Sequence, residues 1–228
     1  KELFFSLIAQ WKLIALCVLL SLIAALLYLR TTPDTYSVNA LVQVEENKGT
    51  SAALLGDLSS MIDQKQPAQA EIEILKSRLV LGNVIDRLNL DVIVSGTQNS
   101  FSDRLFFPHD YRTEYHEKSV TFHDNDKKFD IRAFEVPARY RDKSLELHVN
   151  QQKFNLVDVE TEETVFSGQL NQLQQDALGW KVAIYANDEL KDNYLVEKQS
   201  LPAAVDRLLQ NYAVAEKGKM TGVLGLNY

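Results

Sequence analysis

The sequence predicts an α+β fold in which one membrane-spanning helix is followed by an α/β domain carrying a β-rich, jelly-roll-like insert. Three observations lead there. Residues 13–29 form a run of seventeen without a charge. Apolar residues recur at helical spacing through residues 68–90. From about Lys118 onward, short alternating segments follow one another, separated by turn-like breaks.

The uncharged run, LIALCVLLSLIAALLYL, gives roughly 26 Å of helix at 1.5 Å per residue. A bilayer core of about 30 Å is within reach, because the residues just upstream are also largely apolar. Trp11 and Tyr28 stand where interfacial aromatics belong, and Lys12 and Arg30 flank the run. Trp11, Lys12, Leu13, Leu29 and Arg30 are therefore the expected membrane-anchoring residues. A cleaved signal peptide fits less well, since the run is long for one and no A-x-A site follows it. Lys1 and Lys12 slightly favour an N-terminus on the inner side.

Beyond Arg30 the composition turns polar, and Pro33 stops helical continuation. Tyr36, Val38, Ala40, Val42 and Val44 alternate with mostly polar residues, which predicts a strand with one buried face. Residues 47–66 are rich in Gly, Ser, Asp and Gln and hold a short helical candidate at 52–62. In the helix at 68–90, Ile72, Leu75, Leu79, Ile85 and Leu88 mark the buried face. Pro67 suits its first turn, and Gly82 is the expected kink or break.

Residues 91–95 read as a strand and 96–102 as a loop. Six further strands are predicted at 120–123, 129–136, 144–149, 154–159, 164–170 and 180–186, with another candidate at 195–198. Leu201 begins a helix to about Tyr212, with Ser200 as N-cap, Pro202 in its first turn, and Val205, Leu208 and Leu209 facing inward. A last strand, 223–228, runs to the final residue. That ending, and an opening Lys in place of Met, predict a piece of a longer protein. The expected division is 1–30 for the membrane segment, 31–117 for the first part of the α/β domain, 118–198 for the β-rich insert, and 199–228 for the return.

Composition narrows the chemistry. A formal charge of −7 speaks against nucleic acid. The single cysteine, Cys17, lies inside the apolar run, so one chain can form neither a disulfide nor a CxxC metal site. No phosphate loop is present; Gly218-Lys219-Met220-Thr221 lacks the upstream glycine and the hydroxyl residue after lysine. Neither G-x-S-x-G nor H-E-x-x-H occurs. His109, His116 and His123 are spaced seven apart, and in extended chain an odd spacing alternates faces, so solvated loop histidines are expected over a metal site. Glu160-Thr161-Glu162-Glu163 reads as a solvated turn. Trp180 and Tyr185, with Tyr111 and Tyr140, are candidates for stacking on a sugar. The odd spacing of Trp180 and Tyr185 assigns at least one of them to the core. No residue is expected to be catalytic, and no metal or cofactor is expected in this chain.

The segments ALVQVEENKG, AEIEILKSRLVLGNVIDRLNLDVIVS and VAEKGKMTGVLGLNY, in that order behind a membrane helix, resemble the chain-length-determinant (Wzz) family, the polysaccharide co-polymerases. The resemblance is closest to the Wzc branch of bacterial tyrosine autokinases and covers most of the chain. It implies a Wzz-type α/β domain in the periplasm, anchored in the bacterial inner membrane by two helices, with the N-terminus in the cytoplasm. It also implies a homo-oligomeric ring, with eight protomers the expected count. Glu71, Arg78 and Arg87 are the candidate contacts between protomers. A lipid-linked glycan, its polymerase and an outer-membrane export channel are the implied partners. ATP and magnesium belong to the branch's cytoplasmic kinase domain, which this chain lacks. Two other readings remain, the sensor half of a membrane signalling kinase and an anchored glycan hydrolase. The first requires a pocket of convergent polar groups, the second a pair of carboxylates about 5–9.5 Å apart.

Overall fold

The computed structural model describes residues 11–32, 36–44, 67–97, 110–150, 152–186, 190, 193–218 and 222–228. In chain order the elements are helix α1 (Trp11–Thr31), β1 (Asn39–Gln43), α2 (Pro67–Leu75), α3 (Arg78–Leu88), β2 (Val92–Gly96), β3 (Tyr111–His116), β4 (Ser119–Asp124) and β5 (Lys127–Glu135). Then come β6 (Ser144–Asn150), β7 (Lys153–Asp158), β8 (Thr164–Gln169), β9 (Leu173–Gln175), β10 (Lys181–Ala186), β11 (Tyr194–Lys198), α4 (Leu201–Asn211), β12 (Ala213–Glu216) and β13 (Val223–Asn227). The fold is mixed helix and sheet, with an apolar helix at its start. The helical candidate at 52–62 lies outside the described residues, as do Pro33 and His109.

Two five-stranded antiparallel sheets, ordered β3-β4-β5-β10-β9 and β2-β11-β6-β7-β8, share one core. Val120, Phe122 and Ile131 of the first meet Leu145, Leu147, Leu156 and Val196 of the second, all nearly inaccessible. Inward and outward residues alternate along β4, β6, β7 and β11, as a two-layer sandwich requires. The arrangement departs from a jelly roll. β3-β4-β5 and β6-β7-β8 are each runs of adjacent hairpins within one sheet. Tight turns dictate this. Lys118 and Asn125 take left-handed backbone, and such turns pair each strand with its immediate neighbour.

The sandwich also begins earlier than residue 118. β2 pairs with β11 (Val94 opposite Val196), and β3, to which the sequence reading assigned no element, pairs along its length with β4. Entry and exit strands are thus neighbours. A module whose two ends lie side by side can be inserted between α3 and α4 without disturbing either.

A three-stranded sheet, β1-β13-β12, and helices α2, α3 and α4 make up the rest. Ile72 of α2 packs on Val214 and Leu224, and Leu81 and Ile85 of α3 pack on Ala204 and Val205 of α4. The helix expected at 68–90 breaks at Lys76–Ser77, with Gly82 staying helical. Ser77 is an N-cap whose hydroxyl oxygen accepts from the Val80 amide at 3.4 Å, and Asn89 closes α3 in left-handed backbone. The break restarts the helical phase, so Leu79 is 77% exposed while Leu81 is buried in its place. Leu209 of α4 is likewise exposed and Ala204 buried. Ser200 occupies the cap position without a side-chain bond; its amide instead donates to Asp142 Oδ1 at 2.7 Å. β1 pairs with β13 as an edge strand, but Tyr36, Val38, Ala40 and Val42 are exposed, so its expected buried face reaches only Val44.

Inside the sandwich Tyr194, fully buried, donates its hydroxyl to Asp124 Oδ2 at 3.0 Å. Replacing Tyr194 with Phe is expected to cost about 1–3 kcal/mol, by removing a donor from a buried carboxylate. Leu147→Ala, which opens a cavity between the sheets, should cost about 2–5 kcal/mol. Urea midpoints of the two variants against the parent chain check both.

Candidate functional site at the helix–sandwich junction

The chain passes from helix to sandwich at Leu90–Asp91 and back at Lys198–Ser200, and these two crossings touch. The Gln199 amide donates to the Asp91 carbonyl at 2.8 Å, and Lys198 stands opposite Val92 in the β2–β11 register. Alternation along β11 aims Tyr194, Val196 and Lys198 inward. At that third position the sandwich core ends, and the lysine side chain, only 7% exposed, meets Asp91 Oδ2 at 2.7 Å and Glu135 Oε1 at 3.1 Å. Burying an ammonium is costly unless it is paired, and the two acids supply the pairing. The other Asp91 oxygen, Oδ1, is enclosed and has no hydrogen-bond partner.

From α4, Arg207 reaches the same place. Its Nε donates to Gln199 Oε1 at 2.9 Å, and its Nη2 donates to the Leu90 carbonyl. Tyr115 of β3 donates to the Val92 carbonyl at 3.4 Å. Burial holds the Tyr115 phenol above the usual tyrosine value, against the opposing pull of the Arg207 guanidinium. Tyr212, at the end of α4, is also raised by burial.

A cleft of about 390 Å³ opens over this junction. It is lined by Arg78, Leu79, Asn83 and Asp86 of α3 together with Glu135, Arg141 and Leu201, and by Asp91, Lys198 and Gln199 of the two crossings. Its chemistry is mixed: cationic and anionic groups, amides, and two exposed leucines.

The residues singled out from sequence fall in several places. Trp11, Lys12, Leu13 and Leu29 lie exposed on α1, whose segment Trp11–Leu29 is nineteen residues long and apolar enough to cross a membrane; Arg30 is in its last turn. Glu71 is half-buried on α2, and Arg78 opens onto the cleft. Arg87 pairs within the chain with Glu117 at 3.3 Å, both exposed.

Trp180 is 1% exposed, stacked on Phe166 at 5.1 Å and tilted against Tyr140 at 5.1 Å. Its ring is filled on both sides by the core, which removes it as a direct sugar contact. Tyr185 is half-buried on the outer face, with the Arg132 guanidinium 4.1 Å above its ring. His116 lies in strand β3 and not in a loop, and His123, within the predicted strand 120–123, lies in β4. The turn at Glu117–Lys118 resets the alternation, so both stand 3.6 Å from the same carboxylate oxygen of Glu114. Among the described residues no group of three or more His, Cys, Asp or Glu is arranged to hold a metal.

Sequence reasoning missed Asp91, Glu135, Arg141 and Lys198. One signal was present: Lys198 follows Tyr194 and Val196 at period two, placing a charge in register with core positions.

Residues 1–88 match the family model described as chain length determinant protein, Wzz. Over its whole length the chain is 68% identical to the tyrosine-protein kinase ptk of Acinetobacter johnsonii, of which it spans 32%. It is 32% identical over 96% of its length to the tyrosine-protein kinase wzc of Salmonella typhi, and 30% identical over 96% to the putative tyrosine-protein kinase AmsA of Erwinia amylovora, spanning 28% of each. The chain thus covers a third or less of these curated relatives.

Truncating the buried lysine as Lys198→Met is expected to cost about 3–5 kcal/mol, because it strands Asp91. The double variant Lys198→Met, Asp91→Leu should recover part of that loss in chemical denaturation. Stability should also fall as pH rises above about 10. Unfolded tyrosine ionises near 10.0, while Tyr115 and Tyr212 hold their protons longer when folded. The folded chain then binds more protons than the unfolded one. Tyr115→Phe should flatten that decline, read as the change in urea midpoint between about pH 8 and pH 10.5.

Proposed function

Since this chain belongs to the chain length determinant (Wzz) family and is similar along its length to Wzc-type tyrosine-protein kinases, we propose that it is the membrane-anchoring and periplasmic part of a polysaccharide co-polymerase. In this role the parent protein sets the chain length of capsular or exopolysaccharide and aids its polymerisation and export. The observation that carries the reading is the family match over residues 1–88, which takes in helix α1, strand β1 and helices α2 and α3.

Helix α1 anchors the chain in the bacterial inner membrane, and the short sheet with α2–α4 stands above it on the periplasmic side. Copies assemble into a ring, for which eight protomers is our working number, with Glu71 and Arg78 available at the helical face. The outer face of the sandwich, including Tyr185, is where we place contact with lipid-linked glycan, the polymerase or the outer-membrane export channel. This part does its work by position, without chemistry of its own. Tyrosine autokinase activity, with its ATP and magnesium, belongs to the remainder of the parent protein, as the names of the relatives support.

The test is cellular. Deleting the parent gene should remove high-molecular-weight surface polysaccharide on a gel, and only a copy retaining residues 31–228 should restore it. An unchanged profile in the deletion strain would refute the reading and favour a sensor kinase.

A further inference from the structure

The geometry points to the cleft at the helix–sandwich junction as a binding site for an acidic saccharide unit, a polyhydroxylated sugar bearing one carboxylate. The inference rests on the co-polymerase reading and supplies a ligand class for it. Two sets of polar atoms in the cleft have no partner among the described residues.

Arg78, at the start of α3, and Arg141, beyond β5, both line the cleft, and neither side chain has an ion-pair or hydrogen-bond partner among the described residues. Two planar guanidinium groups at one opening form a receptor for a carboxylate, which they bind in paired, charge-assisted fashion. Lys198 does not compete for it, since two acids already occupy its ammonium.

The second group is a set of acceptors. Asp91 Oδ1 is unpartnered but closed to solvent, so it lies below a ligand's reach. The accessible acceptors are Asp86 and Asn83 of α3. Carboxylates beside the arginines repel a compact polyanion such as phosphate, yet accept well from hydroxyls. A ligand with one negative charge and several O–H donors satisfies both halves of the cleft. Leu79 and Leu201, both exposed at the rim, offer an apolar surface for the C–H face of a pyranose ring. The volume, about 390 Å³, falls in the usual range for small-molecule sites and exceeds what a bare ion needs.

The experiment is a saturation-transfer NMR titration of the full chain in detergent micelles, with D-glucuronate, D-glucose and inorganic phosphate as probes. Glucuronate should bind, and glucose at least about tenfold more weakly, as the loss of one charge-assisted contact implies. Arg78→Ala with Arg141→Ala should erase that preference, whereas Arg112→Ala on the outer sheet face should leave it intact. Raising salt to about 0.5 M should weaken glucuronate but not glucose in the parent chain, a readout that depends on no variant folding. Absence of glucuronate binding, equal binding of glucose, displacement by equimolar phosphate, or indifference to the double variant would each overturn the assignment. None of these results would touch the chain-length reading, which is decided by polymer size in cells.

Discussion

Lys198 brings a charge to the place where the chain crosses between the helical part and the sandwich, and much of the architecture follows from the need to neutralise it. Its strand, β11, runs inward-facing residues straight from the sandwich core to the junction, so the ammonium leaves water whether or not a partner waits. Asp91, the residue through which the chain enters the sandwich, supplies the counter-charge at 2.7 Å. The entry point and the exit point are thereby locked to each other. Arg207 repeats the lock from α4 by binding the Leu90 carbonyl. An insertion joined at two distant points would be free to swing; here both crossings share one ion pair and one hydrogen-bonded strand pair, β2–β11.

This constraint explains how a small helical layer supports a large β module. The helices meet only through modest clusters, Ile72 with Val214 and Leu224, and Leu81 and Ile85 with Ala204 and Val205. The sandwich owns the larger core, sealed by Phe122, Phe129, Phe154, Trp180 and Tyr194. Each unit buries its own apolar surface. What passes between them is polar: the Arg207 guanidinium of α4 on the Leu90 carbonyl, the Ser200 amide on Asp142, and Arg87 of α3 paired with Glu117. Polar joints of this kind leave groups in reach of water, and the cleft at the junction is the consequence.

The sandwich strands were legible because each carries its own period-two pattern: 120–123 against Ser119–Asp124, 144–149 against Ser144–Asn150, and 180–186 against Lys181–Ala186. β3 escaped because Tyr111, Thr113 and Tyr115 are amphipathic and half-buried, so no clean apolar alternation marks it. Leu79 misled because helical phase carries across a break only if the helix does, and Ser77 ended that continuity. The cleft was not legible at all. Arg78, Asp91, Glu135, Arg141 and Lys198 span more than a hundred positions, and no spacing rule links residues that meet only when two sheets and two helices close.

The amino-acid order by itself settled what local physics can settle. An uncharged run is helical and lipid-compatible whatever surrounds it, alternating strands have one face to bury, and a chain without suitable cysteines or a phosphate loop forgoes the chemistries that need them. Tertiary structure alone decided which tryptophan face, which histidine pair and which lysine stood beside which partner. Those outcomes depend on register across hairpin turns and on the meeting of segments far apart in sequence. Trp180 was a surface candidate until two sheets closed over it. Lys198 looked like the ordinary end of a strand until Asp91 arrived from the other side.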